Sequence, residues 1–124
     1  MADPLERLRA IVDYLFSVEH HQLMDDRAFH ALFYLSLTYP TVRRAFARVD
    51  EEPLHLVEGT LAACMAAGQA PRNDPHDLAV ALKALEEGYA FLIGGAADEE
   101  AQAEIGGARR KRALQLLGLP TAGA

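Results

Sequence analysis

Histidines and carboxylates are where chemistry would first show in this sequence. His20, His21, Asp25 and His30 form its densest group, and His21 and Asp25 stand i, i+4 apart, a spacing that sets two metal ligands on one helical face. Two features oppose a metal there. Adjacent histidines on a helix point in different directions, and a helix break is expected between positions 21 and 25. The group therefore reads as solvent-exposed helix-end residues, with no metal site and no cofactor expected. His76-Asp77 is a pair that metal centres use, but it falls in a helix first turn, where an aspartate is expected anyway. The basic run Arg109-Arg110-Lys111-Arg112 has phosphate-binding composition, yet a helix C-terminus accounts for it without a ligand. Cys64 lies on an inward-facing stripe among Ala62, Ala63, Ala66 and Ala67, the setting of a small core hydrophobe rather than a nucleophile. Glu58 lies beside an apolar stripe, where a carboxylate needs a partner if it is not solvated. No Ser/His/Asp order, glycine-rich phosphate loop or paired-carboxylate site stands out, and no enzymatic activity is expected.

The composition narrows the class further. The chain has 124 residues, of which 51% are hydrophobic and 24% charged, as in globular domains. That length suits one domain, taken here as residues 1–124. A single cysteine excludes a disulfide framework or a thiolate cluster within one chain. The net charge of −6 argues against a free-standing nucleic-acid binder. No signal peptide is visible at the N-terminus, and the longest apolar stretch, residues 28–37, is too short to span a bilayer. A cytoplasmic location with no membrane partner follows as the expectation, and there Cys64 would be a reduced thiol.

The elements that must position these residues are helices. Asp3 reads as an N-cap, with Pro4 at the first helical position and Glu6 completing a capping box. The helix it opens carries Leu5, Leu8, Val12, Leu15 and Phe16 on one stripe and should fade near His20 or His21. A second helix over 26–39 is apolar nearly all round, which predicts a central position with neighbours on several sides. Pro40 opens a short helix over 41–51, and Pro53 restarts the chain into a fourth over 53–67, with Gly68 as its C′ residue. Asp74 caps a fifth helix with the stripe Leu78, Ala81, Leu82, Leu85, Tyr89 and Leu92, ended by Gly94-Gly95. Asp98, Glu99 and Glu100 start a sixth, closed by Gly118 and Pro120. The fold class is thus all-α with about six helices. The sixth is poor in large apolar residues and rich in glycine and alanine, which suits close packing against a partner helix.

Several segments, in order, resemble the C-terminal domain of TetR-family transcriptional regulators. They are Asp3-Pro-Leu-Glu-Arg-Leu-Arg-Ala10, Tyr39-Pro-Thr-Val-Arg-Arg-Ala45, Met65-Ala-Ala-Gly-Gln69, Asp74-Pro-His-Asp-Leu-Ala79, Leu85-Glu-Glu-Gly-Tyr89 and Arg110-Lys-Arg-Ala-Leu-Gln-Leu-Leu-Gly-Leu-Pro120. The resemblance covers nearly the whole chain. It implies an orthogonal bundle in which the earlier helices surround an apolar ligand cavity. The last two helices would pair with a second copy as a four-helix bundle across a two-fold axis. The function it implies is that of a small-molecule-binding and dimerisation domain of a TetR-like repressor.

Mapped onto this sequence, the cavity would draw on Phe29, His30, Phe33, Tyr34 and Leu37 of the central helix, with His30 and Tyr34 as polar anchors. Val57, Glu58, Leu61 and Met65 would form a second wall, and Tyr89, with Leu92, would either close it or join the dimer bundle. The partner would be a small apolar or aromatic ligand. The homodimer would use Leu85, Ile93, Ile105, Ala108, Arg112 and Leu116. The family's helix-turn-helix head has no counterpart in the chain, so no direct contact with nucleic acid is expected of it. Either the chain is part of a longer regulator, or it is a stand-alone relative that sequesters a small molecule. A cofactor-free enzyme built on the same cavity is the third reading.

Overall fold

The computed structural model describes residues 3–23 and 26–121, with side chains described outside 21–29, 50 and 94. The described chain is all helical: α1 (Pro4–Leu15), α2 (Val18–Leu23), α3 (Asp26–Ser36), α4 (Pro40–Ala66), α5 (Pro75–Gly94) and α6 (Glu99–Leu116). Local chemistry sets most of the boundaries. The Asp3 carboxylate accepts from the Leu5 N–H at 2.9 Å, Asp74 from His76 at 3.0 Å, and Asp98 from Ala101 at 2.8 Å, so three helices start on aspartate caps. Gly68 and Gly118, at φ 71° and 72°, end α4 and α6 in left-handed turns. In both, the next residue donates back across the turn, Gln69 to the Cys64 carbonyl and Leu119 to the Leu114 carbonyl, each at 2.9 Å. A side chain at 118 would also collide with Pro71 of the α4–α5 loop, 2.7 Å from an added Cβ.

The core is filled by α1, α4, α5 and α6. Leu8, Val12 and Phe16 meet Leu61 and Cys64, Leu82 and Tyr89, and Ala113, Leu114 and Leu117, all essentially inaccessible to water. Burial pushes the Cys64 thiol above its ordinary pKa, in keeping with an inert core position. Gly106 of α6 lets the end of α1 approach closely: a Cβ there would lie 2.6 Å from the Phe16 carbonyl oxygen and 3.0 Å from the Tyr89 hydroxyl.

Four expectations about the elements change. The first helix stops at Leu15 rather than near His20. The separate short α2 follows it, with the Ser17 hydroxyl accepting from the His20 N–H at 3.1 Å. The helices expected over 41–51 and 53–67 are one 27-residue rod, α4, with Pro53 inside it. Packing on both sides of the proline outweighs the hydrogen bond that its missing N–H forgoes. The third change follows from the second. With α4 continuous, α3 lies at the edge of the bundle, packed against α4 and α5. Tyr34 and Leu37 are 72% and 62% exposed, so the helix expected to be central is peripheral. The basic residues 109–112 also lie a turn earlier than expected, since the last turn of α6 carries no basic residue.

A candidate ligand cleft between α3, α4 and α5

Because α3 packs from one side, it leaves a cleft where it crosses the other two helices. Two ring contacts hold it there. Phe33 meets Phe46 of α4 edge-on, with centroids 6.0 Å apart, and His30 stacks on Phe91 of α5 at 4.0 Å with near-parallel planes. Beside the Phe33–Phe46 contact lies an open space of about 490 Å³, lined by Phe33, Phe46, Ala47, Glu51, Leu54, Val80, Lys83, Ala84 and Glu87. A smaller apolar pocket of about 40 Å³ adjoins it at Leu54 and Lys83 and reaches Leu15, Pro53, Val57 and Leu82. The cleft falls within the size range of small-molecule sites, roughly 300–1,000 Å³.

Its charged groups lie at the rim. The Lys83 ammonium is 3.4 Å from the Glu87 carboxylate one turn on, and both side chains are partly exposed. Glu86, beside the smaller pocket, faces the His20 ring at 3.5 Å, and that ring rests against Tyr14. Glu51 stands on the α4 wall, across from Glu87 on α5.

The residues proposed from sequence are distributed differently. Phe33 lines the cleft and Val57 the adjoining pocket. Tyr34 and Leu37 point to solvent, while His30 is held against Phe91 outside the cleft lining. Leu61 and Tyr89 belong to the filled core, and Met65 packs on its edge. Glu58 is paired with His76 of α5 at 3.1 Å, on the outside of the α4–α5 contact. The side chain of Phe29 lies outside the described residues, as do those of His21 and Asp25. Of the dimer candidates, Ile93 is buried within the chain, and Leu85 and Ile105 pack partly on the core. Ala108, Arg112 and Leu116 are exposed, with Arg112 donating to Gln115 at 3.2 Å.

Sequence reasoning passed over Leu54, Val80, Lys83, Ala84 and Glu87 as site residues. The signal was available: positions 80, 83, 84 and 87 recur at helical spacing beside the inward-facing 78, 82, 85, 89 stripe. A second groove of about 420 Å³ runs between the α1–α2 corner and α6, past Asp13, Ser17, Gly106 and Arg110. It is bridged by the Arg110–Asp13 pair at 3.3 Å. Among the described residues, no group of three or more His, Cys, Asp or Glu is placed to hold a metal ion, and no helix is long and apolar enough to cross a membrane.

An all-helical domain with a ligand-sized apolar cleft between its helices is the class that this architecture defines. A family model described as "Tetracyclin repressor-like, C-terminal domain" matches residues 3–119, and the chain belongs to that family, whose domains are regulatory and bind ligands. No curated protein and no solved structure matched the chain.

Proposed function

We propose that this chain is a single effector-binding and dimerisation domain of a TetR-like transcriptional regulator. It takes up a small, largely apolar or aromatic molecule and contacts no nucleic acid itself. It acts in the cytoplasm, without catalysis or a membrane partner. The observation that carries the reading is the cleft where α3 crosses α4 and α5, in a domain of this family. The proposed dimer joins α5 and α6 to their copies. Phe91 and Leu92 on α5 and Leu116 on α6 leave apolar surface exposed, and Ala103, Gly107 and Ala108 offer close approach on α6.

A thermal-shift screen of small apolar and aromatic compounds tests the cleft. A ligand raises the melting temperature as its concentration grows, by the equivalent of about 2.7 kcal/mol at a hundredfold excess over its Kd. Ala84→Trp, which fills the cleft from the α5 wall, should abolish that response while the chain stays folded. A flat response of the native chain to every compound would refute the reading. Sedimentation tests the assembly: a dimer at tens of micromolar is expected, and a monomer would overturn that part.

A further inference from the structure

We infer that the small pocket beside the cleft is a subsite for a short unbranched alkyl chain, so that the molecule bound is a ring body carrying such a chain. The inference rests on the reading of the cleft as the ligand site and adds the shape of the ligand. Leu54 and Lys83 line both spaces, which are neighbours of very unequal size, about 490 Å³ and about 40 Å³. The smaller exceeds the roughly 10–15 Å³ that a single water needs and falls well short of the roughly 150 Å³ in which a dry cavity takes up a benzene ring. It has room for a chain of about three carbons and none for a ring or a bulky branched group. The cleft, with Phe33 of α3, Phe46 of α4, and Val80 and Ala84 of α5 around it, is wide enough for the ring.

The walls of the pocket select apolar matter. They are Leu15 of α1, Pro53, Leu54 and Val57 of α4, and Ala79 and Leu82 of α5. Pro53 contributes ring carbons and no N–H. Lys83 and Glu86 complete the lining with their charged ends directed elsewhere: the ammonium lies 3.4 Å from Glu87, and the Glu86 carboxylate lies 3.5 Å from the His20 ring. What they offer the pocket is methylene stem. A water placed there lacks the polar partners that would hold it, whereas each methylene that enters favours binding about fourfold. The pocket reaches the fully buried Leu82 and Ala79, so the chain end leaves water more completely than the body, which stays in the open cleft.

The test uses 4-alkylphenols, in which only the chain changes and the hydroxyl at the opposite end of the ring keeps the series soluble. Binding to the full chain is followed by NMR titration, which also locates the perturbed residues. From 4-methylphenol through 4-ethylphenol to 4-propylphenol, each added carbon should tighten binding about fourfold, with the shifts spreading from Val80 and Ala84 to Val57 and Ala79. From 4-propylphenol to 4-pentylphenol the gain should fall below about twofold per carbon, because the pocket is full. 4-Isopropylphenol, with the same carbons in a branched group, should bind on the order of tenfold more weakly than 4-propylphenol. Ala79→Val narrows the pocket and should move the break in the series to a shorter chain. Val57→Ala widens it and should move the break to a longer one, and both should leave 4-methylphenol unchanged. Opposite shifts separate a gauge of chain length from a loosened fold, and the isomer pair needs no variant. Equal binding of the two isomers, a series that rises without a break, or a break that neither variant moves would overturn the alkyl subsite and leave the cleft standing as a ligand site. If no phenol perturbs the cleft residues, both readings fall.

Discussion

Replacing Gly106 by alanine tests a close contact between α6 and the end of α1. The added Cβ would sit 2.6 Å from the Phe16 carbonyl oxygen, a backbone atom at the C-cap of α1, and 3.0 Å from the hydroxyl of the fully buried Tyr89. Neither neighbour is the loose end of a flexible side chain, so α1 and α6 must separate by several tenths of an ångström. Strain of that kind costs about 1–3 kcal/mol. Against it stands the helix-propensity gain of alanine over glycine, up to about 1 kcal/mol. Gly59 supplies the reference. It is exposed in mid-α4, away from the surface proposed for pairing, and an added Cβ meets nothing within 4 Å. Gly59→Ala should therefore stabilise by about 0.5–1 kcal/mol, while Gly106→Ala should be neutral or lose up to about 2 kcal/mol. Urea unfolding followed by far-ultraviolet circular dichroism, at one protein concentration, measures both. The separation between the two variants, about 1–3 kcal/mol, is the worth of the close approach. If Gly106→Ala proves as stable as Gly59→Ala, the end of α1 does not rest on α6 at this point, and the packing described here is wrong.

Other outcomes follow from the same structure. Asp74→Ala removes the acceptor for two N–H groups at the start of α5 and should cost about 0.5–2 kcal/mol in urea unfolding. The buried Cys64 thiol has its pKa raised, so its contribution is complete below the ordinary thiol range and is lost as pH rises through the folded value. Unfolding midpoints should fall at alkaline pH, and Cys64→Ala should flatten that decline; an unchanged slope would contradict the burial. The Gln69 amide bonded to the Asp3 carboxylate lowers the Asp3 pKa, so this link holds at neutral pH and is lost as pH falls through the depressed value. NMR titration of Asp3 in Gln69→Ala should show its midpoint moving back up towards that of an ordinary aspartate. Ala108→Arg and Leu116→Glu alter exposed α6 positions and should dissociate the proposed dimer in sedimentation runs while leaving helicity intact.

Helix starts and stops were legible in the sequence because they are decided within a few residues. Asp3, Asp74 and Asp98 cap, and Gly68 and Gly118 terminate, through bonds to their own neighbours. Pro53 was harder. The cost of an interior proline, roughly 3 kcal/mol, is a local quantity, but continuity of α4 depends on partners that Phe46 and Leu61 find on other helices. The position of α3 depended in turn on that continuity. Its aromatic content signals a need for burial without naming the neighbour, and in the structure Phe33 faces the cleft while Tyr34 and Leu37, one and four positions on, are exposed. The opposite wall was missed because Lys83 and Glu87 look like an ordinary solvated pair. Only the crossing of α3 over α5 turns that pair into the rim of a cleft.

The uninterrupted α4 has a mechanical consequence. With 27 residues it is a lever about 40 Å long. Its far arm is anchored, because Val57, Leu61 and Cys64 are embedded in the core, whereas its near arm is exposed for most of its length. At Pro53 the lever lacks the bond that would tie it to the Val49 carbonyl, so its bending stiffness is lowest between the two arms. Phe46, Ala47 and Glu51 line the cleft from one side of that weak point and Leu54 from the other. Were the proposed ligand to lodge there, it would press on both arms at once, and the least resisted response would be a change in the angle between them. The proline that looked like an interruption thus gives the helix a compliant joint at the place where a ligand would load it.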